Sequence, residues 1–379
     1  VPLGAFLSGG LDSSLVVSLM QTMQNKTKTF TIGSNDSELD ESVNAKKIAN
    51  FLDTEHTNYN FNDIDYKNLI PEIQSSFTEP FADSSQLPTM LVSKIAKKHV
   101  KVSLSGDGGD ELFGGYNRYI YANKYWRLIN MLPSSYRSFI LKLISNIPSS
   151  LFLKLMNIVF INSSKNKWKI SNINKIKEKL RNINNEKSFY FSLITEWNEN
   201  SGIMNLGFDN ESDFKNIRKI FDGNNNSIEQ KMMEADFKMY LPDDILCKVD
   251  RASMNYSLET RSPYLSKDLI DLSFNIPTKF KISKGVSKII LRDILKKYLP
   301  NNLTNMPKKG FAIPIKNLMK NEIKEWVNDT LSESACDKHG LFNYEIIRKI
   351  KDDHENNISN NEYKLWSLVQ FNEWYNKNF

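Results

Sequence analysis

Leu3-Gly4-Ala5-Phe6-Leu7-Ser8-Gly9-Gly10-Leu11-Asp12-Ser13-Ser14 is the stretch that decides the fold. Leu3 to Leu7 is an apolar run of strand length. Asp12 to Met23 follows with Leu15, Leu19 and Met23 on one helical face. A strand that passes into a helix through Ser8-Gly9-Gly10 forms a phosphate cradle. The two glycines permit a tight turn with exposed backbone, and the helix aims its first N–H groups and positive dipole end at the same point. Ser13 and Ser14 add hydroxyl donors, and Asp12 offers a hard oxygen suited to Mg²⁺. The Gly-Lys-Ser/Thr ending of the Walker loop is missing. The plainer alternative is a helix N-terminus after a Gly-Gly turn.

Outward from this stretch, short apolar runs alternate with helical patterns. Lys28 to Ile32, Glu55 to Tyr59 and Val100 to Leu104 are further strands. Asp40 to Leu52 and Leu87 to His99 are the helices between them. This alternation predicts an α/β fold with a doubly wound parallel sheet and right-handed crossovers. From about Tyr116 the texture turns helical, with apolar residues at helical spacing in Tyr136 to Ile147, Ile228 to Tyr240, Ser287 to Tyr298 and Ile323 to Leu331. Asn162 to Asn174 and Gly223 to Ser227 are surface loops. The expected division is an α/β core over 1–125 and a large, mostly helical C-terminal part over 126–379.

Composition narrows the class without naming a chemistry. The 379 residues are 40% hydrophobic and 25% charged, which suits an ordinary globular core. There is no run of about 18 apolar residues, so no membrane span is expected, and the first residues lack the basic region of a signal peptide. The net charge of +6 comes mostly from dispersed lysine, and pairs such as Lys97-Lys98 and Lys296-Lys297 are solvated helix faces. No nucleic-acid partner is expected. Cys247 and Cys336 are too few for a disulfide framework and fit a reducing cytoplasm, with Cys247 expected to pack as a small buried residue. His56, His99, His339 and His354 lack metal-ligand spacing.

The second constellation is Leu104-Ser105-Gly106-Asp107-Gly108-Gly109-Asp110-Glu111-Leu112-Phe113-Gly114-Gly115-Tyr116. It follows the fourth strand, so its acids sit at a carboxyl strand end, the edge where open α/β sheets bind ligands. Asp107, Asp110 and Glu111 repel one another unless a cation or proton lies among them. A Mg²⁺ bridging pyrophosphate oxygens would satisfy Asp110, with Asp12 opposite.

These two segments carry a resemblance. Ser8-Gly9-Gly10-Leu11-Asp12-Ser13-Ser14 resembles the pyrophosphate loop of the ATP pyrophosphatase superfamily, which includes GMP, NAD and asparagine synthetases. Ser105 to Tyr116 is similar to the asparagine synthetase signature and is the more specific of the two. The resemblance implies an adenine nucleotide alpha hydrolase-like fold, with ATP and Mg²⁺ as cofactors. By it, Ser8, Gly9, Gly10, Asp12, Ser13, Ser14, Ser105 and Gly106 contact ATP or its pyrophosphate, Leu7 and Ile32 line the adenine and ribose pocket, and Asp12 and Asp110 hold the metal. Asp107 stands where many members carry glutamate, with a role in proton transfer from the attacking ammonia.

Two further segments look like the same family. Leu241 to Met254, continuing through Leu265, is expected to be a helix whose Asp250, Arg251, Glu259 and Arg261 form an ion-paired network against the core. Contact with the amino-acid substrate is the lesser alternative. Ser287-Lys288-Ile289-Ile290-Leu291-Arg292 matches the family's Lys-x-x-Leu-Arg pattern, with Lys288 reaching from an apolar helix into the active site. A cation there suits the negative charge that adenylation and amide formation develop. Pro307 to Pro314 also resembles the family, as a loop over the site.

The resemblance implies a carbon–nitrogen ligase that joins aspartate and ammonia at the expense of ATP. It would pass through a β-aspartyl-adenylate and give asparagine, AMP and pyrophosphate. In the family, ammonia comes from glutamine through an N-terminal glutaminase domain that opens on a nucleophilic cysteine. This chain contains no such segment, and the expectation is that the domain was trimmed away, the alternative being a protein that uses free ammonia. A homodimer is left open. The alternatives are a related amidotransferase acting on another carboxylate, such as a sugar acid of surface polysaccharide, and a non-catalytic nucleotide-binding protein.

Overall fold

The computed structural model describes residues 1–23, 26–34, 40–61, 63–159, 170–197, 201–205, 215–222, 226–304 and 315–379. The chain forms two compact units. One comprises 1–120, 233–332 and 366–379, and the other 121–232 and 333–365.

The first unit is built on five parallel strands, β1 (Leu3–Phe6), β2 (Lys28–Ser34), β3 (Glu55–Phe61), β4 (Val102–Leu104) and β5 (Glu259–Arg261), in the order β3-β2-β1-β4-β5. The connecting helices are α1 (Leu11–Met23), α2 (Ser42–Leu52), α3 (Asp63–Ser76) and α4 (Gln86–Ala96). The chain steps from β1 outward to β3, then returns across the sheet to place β4 on the other side of β1. Right-handed crossovers therefore send α1 and α2 to one face and α3 and α4 to the other. The packing agrees: α1 and α2 share a core with Leu112, Phe113, Leu291 and Leu295, whereas α4 lies on β2 and the Cys247–Met254 helix.

This winding positions the site. Strand order reverses between β1 and β4, and Ala5 pairs with Leu104, so the loops after these two strands leave from adjacent carboxyl ends. The peptide dipoles and free N–H groups at such a switch point make a ligand crevice.

Several elements depart from the sequence reading. Glu259–Arg261 is a strand, with Val102 opposite Glu259 and Leu104 opposite Arg261. Three residues are too few to show a period, and the backbone ladder with β4 decides the matter. Ile228 to Tyr240 is not one regular helix: an α-helix over Ile228–Ala235 passes into a π-helix over Asp236–Leu246 that contains Pro242. A proline inside a helix removes a backbone donor, which favours such a widened turn. Asp250, Arg251, Glu259 and Arg261 are exposed, with Arg261 and Glu259 paired at the surface at 2.5 Å, so they form no buried network. On α1, Leu15, Val16, Val17 and Met20 enter the core while Leu19 and Met23 face solvent. Cys336 is buried, but Cys247 is only half-buried. Residues 170–174, expected in a loop, begin the Ile170–Leu180 helix. The rest of the 162–174 stretch, residues 223–225 and the Pro307–Pro314 segment lie outside the described residues.

The second unit is helical, with helices at Ser134–Asn146, Ser149–Val159, Ile170–Leu180, Glu186–Ile194, Lys215–Asp222 and Tyr344–Glu355. Asn185 and Ser188 close a reciprocal cap on one of them: the Ser188 N–H donates to Asn185 Oδ1 at 2.9 Å and the Asn185 N–H to Ser188 Oγ at 3.0 Å. Asn205 Nδ2 donates to the carbonyls of Gly340 and Phe342, tying the two parts of this unit together. Among the described residues, no helix is long and apolar enough to cross a membrane.

Gly4 is a tightly packed point of the sheet. A Cβ there would stand 2.7 Å from Phe30 Cε2 and 2.9 Å from the Lys28 carbonyl oxygen. Gly4→Ala is expected to destabilise the protein by roughly 1–3 kcal/mol through overpacking, read as a lower melting temperature in calorimetry.

Candidate active site

The loop after β1 is held closed by its own side chains. The Ser8 N–H donates to Ser13 Oγ at 3.2 Å, the Gly10 N–H to Ser8 Oγ at 3.2 Å, and the Ser14 hydroxyl to the Gly10 carbonyl at 2.6 Å. Gly9 has φ +78°, and a Cβ on it would lie 2.8 Å from the Ala45 amide nitrogen, so only glycine lets the loop lie on α2. The loop delivers Asp12 to the first turn of α1.

The loop after β4 packs directly onto the first. A Cβ on Gly106 would stand 2.9 Å from the Ser13 amide nitrogen, and one on Gly109 would stand 2.7 Å from Asp12 Oδ1. These glycines let two backbones approach closely and leave room for the carboxylate between them. Ser105 is buried, and its N–H donates to the Arg261 carbonyl at 2.9 Å, so β5 anchors the start of this loop. Ser262 Oγ donates to the Asp107 carbonyl at 2.5 Å. Asp110 then falls in the first turn of α5 (Gly109–Phe113).

Lys288 joins the two loops. Its ammonium contacts Asp12 Oδ2 and lies 2.5 Å from Asp110 Oδ1, and the residue is only 4% exposed. Burial alone would push this lysine's pKa down, but Asp110 and Asp12 reverse the effect and hold it above the ordinary lysine range. The sequence reading put Lys288 inside a helix. It sits instead at the N-cap of the Ile289–Leu295 helix with φ +54°, a left-handed conformation that costs a non-glycine residue about 1–3 kcal/mol. Such strain persists only where the surroundings over-determine it, and here two carboxylates fix the side chain. Gly115 roofs the contact: a Cβ there would overlap both Asp110 Oδ1 and Lys288 Cε.

The other residues singled out from the sequence are nearby or in the core. Leu7 and Ile32 are both buried, at 1% and 5% exposure, near the ends of β1 and β2. The Leu7 N–H donates to the Phe30 carbonyl, and Thr31 Oγ1 donates to the Leu7 carbonyl, so these positions also serve the sheet. Burial raises the Asp107 carboxyl above the usual carboxylate range, against the pull of Ser105 and Lys248. Burial and the neighbouring Asp110 raise Glu111 to about 7, and Tyr116 donates to its Oε1 at 2.6 Å.

A second charged cluster was missed in the sequence reading. Lys248 is 8% exposed, and its ammonium donates to Asp83 Oδ2 at 2.6 Å and to Ser85 Oγ at 2.8 Å. Burial would raise Asp83, but Lys248 and its hydrogen bonds hold it down at about 2. Asp244, hydrogen-bonded to Asp83, is raised to about 8 by burial and by Asp83's charge. Two carboxyls in hydrogen-bond contact hold a proton between them, and Asp244 keeps it. Arg118, also near Asp244, is committed to Asp236, with Nε donating at 2.8 Å to an oxygen that Tyr119 also donates to. The signal available was the i, i+4 spacing of Asp244 and Lys248 within Asp243-Asp244-Ile245-Leu246-Cys247-Lys248. Nothing local pointed to Asp83, whose partner is distant in sequence.

A sequence model of the asparagine synthase family matches residues 1–376. The chain belongs to that family. It is similar to the glutamine-hydrolysing asparagine synthetase 1 of Bacillus subtilis (strain 168), at 32% identity over all of this chain and 56% of that protein. A Mycobacterium bovis protein carrying the asparagine synthetase name is 27% identical over 99% of this chain and 54% of its own length. The asparagine synthetase of Zea mays is 37% identical over 31% of this chain. The chain thus spans about half the length of the curated relatives that it matches from end to end.

Asn at position 244 would mimic the protonated acid, and so gives a sign-definite test. Asp244 binds a proton in the folded state up to about pH 8, whereas an unfolded aspartate has lost it above about pH 4. Its contribution to stability is therefore full at low pH and is lost as pH rises from about 4 through 8, by at most about 1.4 kcal/mol per pH unit. Asp244→Asn should gain steadily on the parent protein in melting temperature as pH is raised from 5 to 8. A constant difference across that range would contradict the raised pKa.

Proposed function

We propose that this chain is the ATP-dependent, amide-forming part of a glutamine-dependent asparagine synthetase. The carrying observation is the convergence of Asp12, Asp110 and Lys288 between two loops at the switch point of the sheet. Family membership and the glycine-permitted contact of the loops support the same reading.

The pyrophosphate of ATP lies on Ser8 to Ser14, against the N-terminal N–H groups of α1, with Ser105 and Gly106 on the neighbouring loop and Leu7 and Ile32 under the nucleoside. Mg²⁺ is commonly held by one or two carboxylates together with substrate phosphates, without a dedicated protein cage. Among the described residues, no group of three or more His, Cys, Asp or Glu is arranged to hold a metal. The pair fits a metal carried in by a nucleotide: two hard carboxylate donors, Asp12 and Asp110, already focus on one cationic point. When bound, the metal would neutralise phosphate charge.

The acceptor carboxylate, aspartate's side chain in this reading, attacks the α-phosphorus, and the bond to pyrophosphate breaks. Ammonia then attacks the acyl carbon of the adenylate, and the bond to AMP breaks to leave the amide. Lys288 offsets charge developing on phosphate and on the tetrahedral oxyanion. Asp107 receives a proton from the attacking amine, a role that suits a carboxyl with raised pKa. Ammonia would come from glutamine through a glutaminase domain of the kind that the relatives' glutamine-hydrolysing name implies.

The test is pyrophosphate release by the purified chain with ATP, Mg²⁺ and ammonium, comparing aspartate with other carboxylic acids. Aspartate should give pyrophosphate and asparagine in equal amounts, and Asp12→Asn should lower that turnover about 10²-fold or more. Release with a sugar acid but not with aspartate would move the enzyme to another pathway, and undiminished turnover in Asp12→Asn would refute the metal assignment.

A further inference from the structure

The Lys288 ammonium lies 2.5 Å from Asp110 Oδ1 and against Asp12 Oδ2. A Mg²⁺ held by the same oxygens would sit about 2.1 Å from each, in nearly the same place. The two cations cannot occupy it together. The backbone is close on two sides as well: the Cβ that any other residue would carry at Gly109 would run into Asp12, and one at Gly115 into Asp110 and Lys288.

The lysine is held there at a conformational cost. Lys288 has φ +54° and follows a tight Ser283–Val286 turn in which Lys284 and Gly285 have φ +51° and +80°. The Ile289 N–H donates to the Lys281 carbonyl and closes residues 281–289 into a strap. The strap therefore aims a single buried ammonium at the carboxylate pair, and a new anion on the Ser8–Ser14 loop would offer that ammonium a third partner.

We infer that Lys288 makes divalent-metal binding conditional on nucleotide: ammonium and metal compete for Asp12 and Asp110, and the metal enters only with a phosphate chain that draws the lysine off the pair. The inference rests on the reading of these two carboxylates as the metal-holding pair. It gives Lys288 a gating role before any chemistry, in addition to its part in offsetting charge.

The experiment uses Mn²⁺ as a spectroscopic probe, titrated into the full chain and followed by electron paramagnetic resonance, with and without a non-hydrolysable ATP analogue. The parent chain should bind Mn²⁺ alone weakly and bind it well with the analogue. Lys288→Met should bind Mn²⁺ alone at least tenfold more tightly than the parent. It should also melt at a lower temperature, because two half-buried carboxylates then face each other, and Mn²⁺ should restore its melting temperature while leaving the parent's unchanged. Lys288→Gln, which keeps a polar side chain, should behave alike, so the result does not hang on the folding of one variant. Mn²⁺ affinity equal to the parent's in both variants would overturn the inference, as would tight Mn²⁺ binding to the parent without nucleotide. Asp12→Asn separates the two layers. If it abolishes Mg²⁺-dependent pyrophosphate release while the Lys288 variants gain no metal affinity, the metal reading survives and the gating role fails. Full turnover in Asp12→Asn would remove both.

Discussion

Two carboxylates facing one another out of water repel strongly, and the site is built around the cation that prevents it. Asp12 and Asp110 belong to loops far apart in sequence, and Lys288, still further along the chain, bridges them. Taking one partner from such a buried set costs about 3–5 kcal/mol, because the remaining charges are left uncompensated. The rest of the arrangement serves this contact. Gly106 and Gly109 let the two loops touch, Gly115 clears the space above, and Lys288 accepts a left-handed backbone to reach the pair.

At a second cluster the fold solves the same problem differently. Asp83 and Asp244 also meet in a low-dielectric setting, but one cation, Lys248, does not neutralise both, and the second acid keeps its proton. The π-helix over Asp236–Leu246 supplies Asp236 and Asp244 to this region, and a widened turn with Pro242 inside is the kind of irregularity found where side chains are re-aimed for a purpose. Arg118 shows the same economy of charge. Its guanidinium lies 3.9 Å from the centre of the Tyr116 ring while its nitrogens serve Asp236.

The first unit draws on three separate parts of the chain, and its sheet explains why. The order β3-β2-β1-β4-β5 brings the loops after β1 and β4 side by side, and β5 with the segments around it returns late in the sequence to complete that edge. Lys248, Ser262 and Lys288 all arrive with this return: Lys248 bonds Asp83, Ser262 the loop after β4, and Lys288 both loops. The proposed amide formation, which requires a nucleotide, an acceptor and an amine at one point, is well served by a scaffold that gathers distant segments at a switch point.

The local structure was legible in the sequence because it depends on neighbours along the chain. Ser8-Gly9-Gly10 between an apolar run and a helical pattern identified the turn from β1 into α1, strand–helix alternation identified the parallel sheet, and the pattern of Ser105 to Tyr116 identified the family. Lys288 was singled out by pattern, but its left-handed N-cap position was not, since a helical period carries no record of where a helix begins under strain. The tertiary structure alone decided the strand at Glu259–Arg261, the π-helix, the Asp83–Lys248–Asp244 cluster and the direct ion pairing of Lys288 with Asp12 and Asp110. Backbone ladders and buried charge pairs are set by partners remote in sequence, and their energies depend on distance and desolvation, which appear only once the chain has folded.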